Sequence, residues 1–209
     1  MAEAEASGDP QIIGLCVDLN VWVRHLLGIR EGRERMTASH AIVEAAQTGR
    51  AACGPVQLVV SHAMLSRLED VLVRLGFAPS DSAVFCSLIG AFARRGPYGV
   101  PPHLVLGGGT ASTAEARMPV YDPYDASIVP QRADDEDGRV LDTAIAGRAH
   151  ILATYNFKDF QSPNTVLLTP GQVQVHRSAH HDVFIMHTPF VAHYLRTGEL
   201  PASMKSWRP

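Results

Sequence analysis

The chain of 209 residues is long enough for one domain with a tail or insertion, and a second full domain would be cramped. Apolar residues make up 46% and charged residues 19%, which excludes a chain disordered in bulk. The formal charge of −3 excludes a global attraction to nucleic acid, although a local basic patch can coexist with an acidic site.

Residues 1–11, "MAEAEASGDPQ", read as a flexible tail without the basic and apolar stretches of a signal peptide. "IIGLCVDLNVWV" follows, an almost unbroken apolar run rich in β-branched residues, as expected of a strand buried on both faces of a parallel sheet. Asp18 interrupts it. "RHLLGIREGRER" then supplies Arg24, Arg30, Arg33 and Arg35, either a strip for a nucleic-acid backbone or a solvated helix or loop partnered by Glu31 and Glu34. Residues 38–49 have helical composition and a closing glycine, and "VQLVV" (56–60) is a second strand. Ser61 is placed to cap the next helix, on which Leu65, Leu68, Leu72 and Leu75 make an apolar stripe. At about 100° per residue, Glu69 falls at the margin of that stripe and Asp70 faces water. Another helix is expected over 81–95.

Residues 96–132 are punctuated throughout by proline and glycine and read as a long inserted arm. Its "GGG" at 107–109 lacks the flanking strand, helix and Lys-Ser or Lys-Thr of a phosphate loop. A helix over 137–148 and strands over 150–154 and 165–169 complete the alternation. Strands separated by helices predict an α/β fold, a three-layer sandwich on a central parallel sheet. Residues 173–209 read as a C-terminal extension containing a helix, and its His176, His180, His181, His187 and His193 match no strong zinc spacing and read as surface groups. Cys16, Cys53 and Cys86 are odd in number and lack C-x-x-C spacing, which fits reduced thiols in the cytosol. No apolar run approaches the roughly 20 residues needed to cross a bilayer, so a soluble cytoplasmic protein with no membrane partner is expected.

Asp134, Asp135, Glu136 and Asp137 stand in a row. Adjacent carboxylates repel, so either water screens them or a cation holds them. In an open α/β sheet, ligands gather beyond the carboxyl ends of the strands. Asp18 lies near the end of the first strand, Glu69 on the helix after the second and Asp137 at a helix start, while Asn156 and Asp159 follow "HILAT". A carboxylate cluster around Mg²⁺ or Mn²⁺ would be neutralised by the ion. Plainer roles stay open: a salt bridge for Glu69, a solvated turn for Asp134 and Asp135, an N-cap for Asp137 and a turn for Asn156. Asn20 is read either as a hydrogen-bond partner of Asp18 or as part of the local turn.

"VDLNVWV", "SHAMLSRLEDVL", "DDEDGRVLDTAIAGRAHILATYNFKDF" and "LLTPGQ" together resemble the successive motifs of PIN-domain ribonucleases, most of all the branch of VapC-type toxins of bacterial toxin–antitoxin pairs. The resemblance covers residues 12–172 outside the arm. It implies catalytic positions at Asp18, Glu69, Asp137 and Asn156, where Asn156 stands at the place many members give to a fourth acid. It implies metal ligation by Asp18, Glu69 and Asp137 with Glu136 and Asp134, and supporting roles for Asn20, Thr154 and Asp159. The implied activity is metal-dependent hydrolysis of RNA phosphodiester bonds with Mg²⁺ or Mn²⁺. The implied partners are RNA, an antitoxin and a second copy of the chain. The uncharged amide of Asn156 suggests a competing reading, a catalytically idle module that binds RNA or protein. A haloacid-dehalogenase-like phosphatase would want Asp where Asn20 stands.

Overall fold

The computed structural model describes residues 12–33, 37–96, 104–105, 135–178, 181–200 and 204. The N-terminal tail, most of the 96–132 arm with its "GGG", Arg35, Asp134 and His180 lie outside them, as do the side chains of Asp135 and Glu136.

The first apolar run divides in two. Strand β1 (Ile13–Val17) is buried at every position, and helix α1 (Leu19–Arg30) starts one residue after it ends. The rest of the run is therefore helical, with Leu19, Val21 and Trp22 turned into the core. Asp18 is the extended residue between them. Helix α2 (Ala38–Thr48) starts where the Thr37 hydroxyl accepts the His40 N–H and stops at left-handed Gly49.

Strand β2 (Arg50–Ala51) forms a short hairpin with β3 (Gly54–Ser61). Ser61 Oγ accepts the Met64 N–H at 3.2 Å and caps α3 (His62–Arg74), as its place in the sequence predicts. The buried stripe of α3 is narrower than expected: Met64, Leu68 and Leu72 are buried, whereas Leu75 lies past the last turn and is 43% exposed. Then follow α4 (Pro79–Arg95), β4 (Leu104–Val105), α5 (Asp135–Ala146), β5 (Ile151–Thr154) and a 3₁₀ turn over Phe157–Phe160. The chain continues through β6 (Thr165–Thr169), β7 (Val173–His176), β8 (Val183–His187) and α6 (Thr188–Thr197).

The strands make one sheet in the order β2-β3-β1-β5-β8-β7-β6, with β4 also on β3. From β4 through β3, β1 and β5 to β8 the pairing is parallel. Unbroken burial along β1, β5 and β7 shows that both faces of the sheet are covered, the α/β sandwich expected from the alternation. Leu15, Leu58, Ile151, Leu152, Ile185 and Met186 form the centre of the core, each contributing about 1.5–3 kcal/mol by leaving water.

Two expectations need correction. The sheet is mixed, because β6 and β7 run antiparallel to each other and β7 runs antiparallel to β8. Only three residues, with Gly171 at φ 65°, join β6 to β7, and a link that short serves antiparallel strands alone. The segment after 172 is also more than an appendage, since β8 sits inside the sheet between β5 and β7. His176 is accordingly buried in β7, not at the surface. Among the described residues no helix is long and apolar enough to cross a membrane.

Candidate functional site

Register carries polar residues to one row at the carboxyl edge of the parallel strands. Cys16 pairs with Val59, Val17 with Ala153 and Thr154 with His187, so Ser61, Asp18, Thr154 and His187 end four adjacent strands at one level. Asp18 is held from both sides: its N–H donates to the Ala153 carbonyl at 3.0 Å, and the Trp22 indole N–H donates to the Val17 carbonyl at 3.2 Å.

The Asp18 side chain makes no regular cap for α1 although Asp suits that position. It turns into the site, where Oδ2 accepts the Thr154 hydroxyl and the Asn20 amide, each at 2.6 Å. Asn20 Oδ1 in turn accepts the Tyr155 N–H at 3.2 Å, and Thr154 Oγ1 accepts the Asn156 N–H at 2.9 Å. Three elements are thereby locked around one carboxylate that is only 4% exposed. Burial pushes its pKa up to about 6, and the Thr154 hydroxyl, the Leu19 and Asn20 N–H groups and the Asn20 amide only partly offset that rise. The partners named here are neutral dipoles, so this anion is poorly compensated until a cation approaches.

The other expected residues are placed as follows. Asp137 is half-buried in the first turn of α5, a helix fixed across β1 and β3 by Cys16 Sγ–H to the Val140 carbonyl and by Thr143 Oγ1 to Ser61 Oγ at 3.0 Å. Glu69 is half-buried on α3, and its charge, after burial, helps raise the Cys86 thiol to about 11, which puts it near α4. Asn156 is exposed ahead of the 3₁₀ turn, where its carbonyl accepts the Asp159 N–H at 3.1 Å, and Asp159 is exposed too. Among the described residues no three Asp, Glu, His or Cys side chains gather as a metal cluster. The structure thus brings Asp18, Asn20, Thr154 and the Asn156 main chain together, and leaves Glu69 and Asp137 on the flanking helices.

With this edge in view, comparison with protein families matches residues 14–158 to the PIN domain. The chain belongs to the PIN-domain family. No curated protein and no solved structure matches the chain.

PIN domains are generally nucleases that use divalent metal ions. At this edge the buried Asp18 carboxylate is a hard oxygen donor compatible with a divalent ion, and a cation would relieve the cost of its ionisation.

The described arginines of the expected basic strip have different neighbours. Arg33 pairs with Glu31, as the plainer reading expected, and Arg30 stacks over Phe77 at 5.1 Å. Arg24 alone of these described arginines lies at the site edge, 4.1 Å over the Tyr155 ring. Tyr155, Ser39 and His187 were not legible as site residues. Tyr155 sits between Thr154 and Asn156, and an aromatic flanked by two motif positions was the available signal.

Proposed function

We propose that this PIN domain is an endoribonuclease that hydrolyses phosphodiester bonds of single-stranded or looped RNA with Mg²⁺ or Mn²⁺. The observation that carries the reading is Asp18: a desolvated carboxylate at the carboxyl edge of β1, held in the site by Thr154 and Asn20. A divalent ion there supplies a more acidic water and charge stabilisation at phosphorus. Asp18 is the principal ligand, Thr154 and Asn20 fix its carboxylate, and Asn156 offers a neutral oxygen beside them. Attraction to the cation would draw Glu69 and Asp137 toward Asp18 from α3 and α5, with Asp134 and Glu136 adding charge next to Asp137. Asp159 orients the turn that follows Asn156.

The neutral Asn156 keeps one other reading in play, an idle module that binds RNA or a protein partner. Purified protein incubated with labelled single-stranded RNA decides between them. Cleavage with Mg²⁺ or Mn²⁺ that stops with chelator and in Asp18→Ala is expected, and binding without cleavage under every metal condition would establish the idle module. Growth arrest on expression, relieved by a small partner protein, would make the nuclease a toxin of the VapC type. Cleavage without arrest would make it a stand-alone RNA-processing enzyme. A second copy of the chain is the expected assembly partner, read by light scattering.

A further inference from the structure

Beside Asp18 stands a second group of side chains that metal chemistry does not use. The guanidinium of the exposed Arg24 lies over the Tyr155 ring, 4.1 Å from its centre. The ring is itself fixed on two sides: His187 meets it edge-on at 5.7 Å and 90°, and its hydroxyl bonds Ser39 Oγ at 3.0 Å. The Tyr155 N–H is bound to Asn20 Oδ1, and Asn20 binds Asp18. Two hydrogen bonds therefore connect this platform to the carboxylate at the centre of the site. An arginine on an exposed helix face is ordinarily mobile. This one sits over a ring held by His187 and Ser39, and the residue remains exposed to a ligand.

The arrangement suits a nucleotide. A phosphate can accept the forked N–H groups of Arg24, and a base can stack on its open face. The chain carries a net charge of −3, so binding of a polyanion depends on locally placed cations such as Arg24. Arg30 lies over Phe77 and Arg33 pairs with Glu31. His187 is held neutral first by burial and then by the Arg24 charge, so it adds a hydrogen-bonding ring and no second positive charge.

We propose that Arg24, Tyr155 and His187 form a subsite for the nucleotide adjoining the scissile phosphate of single-stranded RNA, with Arg24 binding its phosphate and Tyr155 holding Arg24 in place. This rests on the nuclease reading above and adds a substrate-positioning site distinct from the metal ligands.

The test is fluorescence anisotropy of a short labelled single-stranded RNA over a range of KCl, in a full-length Asp18→Asn background that does not cleave. Arg24→Ala is expected to weaken binding about tenfold and to flatten the log–log salt slope by about 0.7, the loss of one phosphate contact on a single strand. Arg24→Lys should restore the slope but only part of the affinity, because a lysine cannot stack and fork. Tyr155→Leu should weaken binding with the slope kept. If Tyr155→Leu fails to fold, the two exposed Arg24 variants carry the test. Binding by the background that Arg24→Ala leaves unchanged in affinity and slope overturns the subsite and leaves the nuclease reading standing. A background that binds no RNA at any salt overturns both.

Discussion

Replacing Asp18 by Asn should stabilise the metal-free protein while abolishing cleavage. The unfolded carboxyl ionises near its ordinary 3.8, whereas burial holds the folded one to about 6. Below 3.8 both states are protonated and the mismatch costs nothing. As pH rises between those values the unfolded chain loses its proton first, so stability falls and the full loss is present above 6. At 1.36 kcal/mol per pH unit the difference amounts to about 3 kcal/mol at pH 7.5. Asn keeps an oxygen for Thr154 and Asn20 and carries no charge, so it should recover most of that sum. For a protein of this size that is an increase of about 6–12 °C in Tm. Urea unfolding of both proteins in chelator at pH 7.5, 5 and 4 should show a gap of about 3 kcal/mol that halves near pH 5 and almost closes at pH 4. Adding Mn²⁺ at 100 times its Kd should raise the native protein by about 2.7 kcal/mol and leave Asp18→Asn unmoved. A variant no more stable than the native chain at pH 7.5, or a gap independent of pH, would refute the claim that Asp18 is an uncompensated buried anion.

Asn156→Asp restores a charge to the donor set and should lower the Mn²⁺ concentration for half-maximal cleavage about tenfold, read from a metal titration of initial rates. Gly14→Ala should cost about 1–3 kcal/mol in urea unfolding, because a Cβ there would lie 3.0 Å from the Arg148 carbonyl and 3.1 Å from Ala149 Cα, both main-chain atoms. His150 has its pKa lowered to about 4 by burial and then by His181, and its Nδ1 accepts the Gly14 N–H at 2.8 Å. Its folded value lies below the unfolded 6.5, so its contribution is present above 6.5 and lost as pH falls toward 4. His150→Asn, still an acceptor, should flatten that acid-side loss relative to the native chain when stability is followed from pH 7 to 4.

Much of this site could be read from residue order alone. Asp18 was conspicuous because a charge inside an apolar run has few structural excuses, and Ser61 was in place to cap a helix. The α/β alternation followed from apolar runs that recur between helical patterns. The remainder is set by packing and by local ambiguity. "LNVWV" satisfies the apolar demand of strand and helix alike, so periodicity could not show that α1 begins at Leu19. "VFIMH" is four apolar residues and a histidine in a histidine-rich stretch, a run too short for periodicity to tell strand from helix. Pro170 and Gly171 marked a turn tight enough to force an antiparallel pair. Arg24 and Tyr155 lie 131 positions apart, and no local rule predicts that one will stack on the other. The nearness of Glu69 to Cys86 depended on how α3 and α4 pack, which spacing along one helix does not fix.

The placement of β8 bears on how this protein comes to be made. Synthesis proceeds in the direction of the numbering, so β1, β3 and β5 leave the ribosome well before residues 183–187. Until those five residues emerge, β5 has an open flank, and β6 and β7 have nothing to join. The strand that ends in Thr154 thus gains its second neighbour late. A nascent chain halted before residue 183 would carry all the acids of the edge on a scaffold still missing an interior strand.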